Sequence, residues 1–118
     1  TSKKNRSRPC PARAAIARVE SGRERAFVPA AVVAEIVLLQ QLGRVGIGLS
    51  ELRQKFGSDS PFLFLPLDLA QLDEFVGIAS IRDPFDRLIV AAARATGARL
   101  ISKDVALQKS GLVNVIWS

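Results

Sequence analysis

The stretch from Asp83 to Asp104 narrows the possible folds more than any other part of this chain, because it spells out a helix, both its ends and the strand that follows. Asp83 stands before Pro84, the pairing of a capping acid with a proline at the first helical position. Gly97 follows an alanine-rich run and supplies a stop, so the spacing predicts a helix over 84–96. Ala98 to Ile101 then reads as a short strand. In an open α/β sheet the ends of such strands are where ligand-handling groups gather, and Asp104 lies there.

The same alternation runs through the rest of the chain. Residues 11–22 read as a short helix with Ala14, Ala15, Ile16 and Val19 on one apolar face, and 26–28 as a strand. Residues 30–42 read as a largely buried helix closed by Gly43, with Glu35 its only charge. A helix over 49–56 precedes the apolar strand Phe62-Leu63-Phe64-Leu65, and Asp68 is placed to cap a helix over 69–76. A helical turn at 105–109 and a strand over 113–117 close the pattern. Strands separated by helices imply parallel pairing, since parallel connections need crossovers of about a dozen residues. The fold expected is α/β, a three-layer α/β/α sandwich with a mainly parallel sheet.

The 118 residues suit one domain with its own core. Cys10 is the single cysteine and there is no histidine, which removes an internal disulfide, a Cys/His zinc site and any histidine base. Catalysis would have to rest on carboxylates, lysines or hydroxyls, and carboxylates with water ligands suit Mg²⁺ or Mn²⁺. No apolar run is long enough to span a membrane, so a cytoplasmic protein is expected. The net charge of +6 lies entirely within the first 25 residues. Residues 1–11 read as a basic flexible tail, solvated or, alternatively, touching nucleic acid, ahead of a domain over 12–118.

Three carboxylates carry the functional reading. Glu35 falls between Leu38, Leu39 and Leu42 at helical spacing, a charge on an apolar face that calls for a cation, an ion pair or an edge position reaching solvent. Asp86 stands one turn into its helix, where it can point out over the sheet edge. Asp104 follows the strand and could equally cap the turn after it, with the Ser102 hydroxyl assisting either role. Asp83 reads first as a helix cap. Together these acids suit a divalent cation that polarises a phosphodiester and acidifies water.

This set, in its order and setting, resembles the PIN-domain ribonucleases, in particular the VapC-like toxins of bacterial toxin–antitoxin pairs. The resemblance rests on Phe27-Val28-Pro29-Ala30-Ala31-Val32-Val33-Ala34-Glu35-Ile36, on Leu42-Gly43-Arg44, on Asp83-Pro84-Phe85-Asp86-Arg87-Leu88-Ile89, on Leu100-Ile101-Ser102-Lys103-Asp104 and on Val115-Ile116-Trp117. It implies a PIN-like fold, RNA as substrate, Mg²⁺ or Mn²⁺ held by Glu35, Asp86 and Asp104 as catalytic and metal residues, and Ser102 and Asp83 in support. It also implies a homodimer and a cognate antitoxin partner, with Arg87 and Lys103 beside the acids as candidate phosphate contacts. The family's opening strand ends in an Asp, whereas Thr1 to Cys10 contains neither an Asp nor an apolar run. The expected function is a divalent-metal-dependent endoribonuclease. The alternative is a catalytically inactive or truncated PIN-fold module that binds RNA or protein.

Overall fold

Short polar caps mark where three of the helices begin. The computed structural model describes residues 11–57 and 59–117; the basic tail expected before Pro11 lies outside the described residues. Along the chain run helix α1 (Pro11–Glu20), strand β1 (Ala26–Pro29), helices α2 (Ala30–Gln41) and α3 (Leu49–Lys55), strand β2 (Phe62–Leu65), helices α4 (Leu69–Gly77) and α5 (Pro84–Thr96), strand β3 (Leu100–Ile101), helix α6 (Val105–Lys109) and strand β4 (Val115–Ile116). Asp68, Asp83 and Asp104 each accept a hydrogen bond through Oδ1 from a backbone N–H three residues on, at 2.9, 3.0 and 3.1 Å. Each satisfies a donor that the first turn of α4, α5 or α6 would otherwise leave unpaired. Gly97 ends α5 with φ 68°, a left-handed conformation that costs glycine almost nothing.

The core forms where α5 meets its neighbours. Val90 and Ala91 are fully buried beside Ile78 and Leu107, with Phe75, Leu100 and Val115 packed around them. Complete burial of Val90 contributes about 1.5–3 kcal/mol. The small side chains of Ala91, Ala92 and Ala93 let other elements approach α5 closely. A second tie joins α4 to α5: the Arg87 guanidinium donates from Nε and Nη2 to the Phe75 carbonyl at 2.9 and 2.7 Å and lies 3.9 Å above the centroid of the Phe75 ring. Arg94 adds an ion pair to Glu74 at 2.7 Å.

The strands pair in parallel, as the intervening helices require. Residues Ala26 to Pro29 of β1 lie opposite Phe62 to Leu65 of β2, and Leu100 and Ile101 of β3 lie opposite Val115 and Ile116 of β4. The α/β class and the parallel pairing are as expected. Among the described residues, however, the sheet is present as two separate pairs, β1–β2 and β3–β4. A groove of about 550 Å³ lies between them.

Two helices present other faces than the periodicity suggests. In α1 the buried residues are Ala12, Ala15 and Val19, while Ile16 is 41% exposed. In α2 only Ala31 and Val33 are buried, and Leu38 and the following Leu42 are exposed. The first half of α2 meets other elements, but nothing among the described residues covers Leu42. No helix among the described residues is long and apolar enough to cross a membrane.

Candidate active site

Three separate elements deliver the carboxylates. Strand β1 runs without a break into α2, whose second turn carries Glu35; the cap of α5 sets Asp83 and Asp86 three residues apart; and the loop leaving β3 carries Ser102, Lys103 and Asp104. The loop is shaped by its own hydrogen bonds. Ser102 Oγ accepts from the Asp104 N–H at 3.1 Å, and Asp104 Oδ1 accepts from the Leu107 N–H. Such a turn holds the carboxylate at the start of α6.

The acids feel one another. Burial pushes the pKa of Glu35 upward, and the negative charges of Asp86 and then Asp83 push it further the same way. Asp86 is raised by burial first, then by Asp83 and Asp104. Glu35 and Asp86 are both half-buried. Among the described residues the ion pairs join Arg18 and Arg99 to Glu24 and Arg94 to Glu74, so no basic side chain neutralises this group. Glu51 shows the opposite behaviour, its pKa lowered because its carboxylate accepts from the Gly48 N–H at 2.9 Å.

Asp83, Asp86 and Asp104 line one cleft of about 370 Å³ together with Arg82 and Leu107. Glu35 is outside that lining, though within electrostatic reach of Asp83 and Asp86. Lys103 is exposed, free of the packing that holds Arg87. Arg87, expected beside phosphate, has its guanidinium engaged with the carbonyl and ring of Phe75. Arg82 was not singled out by the sequence reading; its one signal was its place directly before a cap acid.

The family model described as PIN domain matches residues 4–111. The chain belongs to the PIN-domain family. No curated protein and no solved structure gives a match. PIN domains are in general nucleases that typically use a divalent metal, which makes nucleic acid the substrate class the family implies.

Whether this PIN domain suits such a metal turns on its donors. All four acids offer oxygen, the ligand type that Mg²⁺ and Mn²⁺ prefer, and their mutual repulsion is what a cation would relieve. Capping uses Oδ1 of Asp83 and of Asp104. By chemistry and charge the donor set fits. By spacing it is loose: no three Asp, Glu, Cys or His side chains among the described residues form a group that could hold a metal ion.

Proposed function

We propose that this PIN domain is a divalent-metal-dependent endoribonuclease, the toxin of a VapC-like bacterial toxin–antitoxin pair, with Glu35, Asp86 and Asp104 as its metal-holding acids. One observation carries the reading: burial first, and then the charges of neighbouring acids from other turns and elements, raise the pKa of Glu35 and Asp86 with no ion-paired basic partner among the described residues. Carboxylates gathered near one another without a basic partner are a mark of functional sites. When bound, Mg²⁺ or Mn²⁺ supplies the charge that polarises a phosphodiester and acidifies water.

The chain's own groups do the rest. Glu35, Asp86 and Asp104 would hold the cation through carboxylate oxygens, relieving the burial and repulsion that raise the pKa of Glu35 and Asp86 in its absence, and the carboxylate set takes up the proton that the attacking water releases. The water oxygen adds to phosphorus and the P–O bond to the leaving nucleotide breaks. Ser102 holds the loop that presents Asp104, Asp83 fixes the first turn beneath Asp86, and Lys103 is free to meet a backbone phosphate. Arg87 supports the site by tying α5 to α4. The exposed Leu69, Leu72 and Val76, on one face of α4, suit the protein contacts that a homodimer or antitoxin would make.

The second reading is a catalytically silent PIN module that binds RNA or protein, favoured by the lack of a three-acid metal group among the described residues. Cleavage of a mixed RNA pool by the purified chain with Mn²⁺ separates the two. The nuclease reading expects cleavage with Mn²⁺ that EDTA stops and that Asp86→Asn abolishes while the fold persists. Cleavage unchanged in Asp86→Asn would remove Asp86 from the mechanism, and no cleavage by any form would favour the silent module.

A further inference from the structure

The segment that leads from α4 into α5 is held at both ends. Ile78 is buried, Ile81 packs against the same core and donates its N–H to the Ile78 carbonyl at 3.1 Å, and Asp83 caps α5 ahead of Pro84. Arg82 lies between Ile81 and Asp83, so its backbone is fixed while the residue itself is exposed. It lines the acidic cleft together with Asp83, Asp86 and Asp104. Among the described residues that line this cleft, it is the one base.

Other arginines of the fold have partners. Arg94 is paired with Glu74, Arg18 and Arg99 with Glu24, and Arg87 is bound to the Phe75 carbonyl. Arg82 takes part in none of the ion pairs among the described residues, although three acids line the cleft with it. Its guanidinium fork is therefore left for a ligand, and that fork matches two oxygens of one phosphate. The acids by themselves repel a phosphodiester. A cation among them offsets one phosphate, and the next phosphate along a strand needs a positive group of its own. Ile81, Leu107 and Leu112 give the cleft an apolar side, and its volume of about 370 Å³ is within the range of small-ligand sites.

We propose that Arg82 is a substrate-binding residue of this PIN domain, its guanidinium holding a phosphate of single-stranded RNA beside the one that the acids address. The attached nucleotide lies against Ile81, Leu107 and Leu112, and the contact sets the register of the strand across the cleft. The assignment rests on the nuclease reading for its substrate class, but it acts in binding and needs no metal to be measured. An arginine that is merely solvated would leave RNA binding unchanged.

The test measures binding of a fluorescently labelled single-stranded oligoribonucleotide by anisotropy, in EDTA, at KCl from about 50 to 200 mM. Arg82→Gln should weaken binding about fivefold to tenfold at the low-salt end. It should also lower the slope of log Kd against log salt by about 0.7, the loss of one phosphate contact to a single strand. Arg82→Lys should keep the slope and lose part of the affinity, since the charge stays and the fork goes. Arg53→Gln, which removes an exposed arginine outside the cleft, should bind as the parent does. Equal affinity and slope in Arg82→Gln and the parent overturn the proposal, and so does an equal loss in Arg53→Gln. A parent that binds no RNA overturns it together with the nuclease reading. The rise in Tm with Mn²⁺, measured on the same proteins, tests the metal reading separately: loss of RNA binding in Arg82→Gln without any Mn²⁺ effect on the parent would uphold the role of Arg82 and remove the cation site.

Discussion

Asp83 and Asp104 each serve their own helix through one carboxylate oxygen, and this decides how the site should be probed. Asparagine caps as well as aspartate, so an Asn substitution removes the charge and keeps the cap. Asp86 and Glu35 have no such structural duty, and their raised pKa values make them costs to the apo fold. The native chain binds more protons than the unfolded one between the ordinary carboxylate pKa and the raised value, so stability falls as pH rises through that window. In EDTA at pH 7, Asp86→Asn should therefore be slightly more stable than the parent, by under about 1 kcal/mol, with the gain vanishing below the carboxylate range. Urea unfolding at both pH values measures it; a loss of stability at pH 7 would contradict the electrostatic account. Glu35 was legible as a charge at apolar spacing. The engagement of Arg87 was not, because its partner carbonyl lies twelve residues away on another helix and leaves no local signal.

The elements were most readable where chemistry is local. Helix α5 begins and ends at the residues that Asp83, Pro84 and Gly97 predict, and α4 and α6 start at their caps. A Cβ at Gly97 would meet nothing within 4 Å, so Gly97→Ala should cost only the left-handed conformation, about 1–2 kcal/mol. Thermal unfolding should show a lower Tm; an unchanged Tm would mean that the end of α5 contributes nothing to the cooperative fold. The readings that missed concern faces. Ile16 lies outside the buried stripe of α1, and Leu38 of α2 and Leu42 just after it are exposed, because periodicity tells which residues share a face and not whether another element covers it.

For the whole molecule, alternation of helix and strand sufficed to predict the α/β class and parallel pairing, both of which depend on crossover length. The separation into two pairs was not readable, since strand order depends on contacts between segments far apart in the chain. The acids show the same limit: sequence brought Glu35, Asp86 and Asp104 into one hypothesis, and the structure couples them electrostatically without closing them into a metal-holding group. If Glu35, Asp86 and Asp104 form a cation site as proposed, titration with Mn²⁺ should shift the Tm. Binding to the native state alone raises Tm by mass action. The parent chain should be stabilised and Asp86→Asn should not, whereas an equal rise in both, or none in the parent, would contradict the claim.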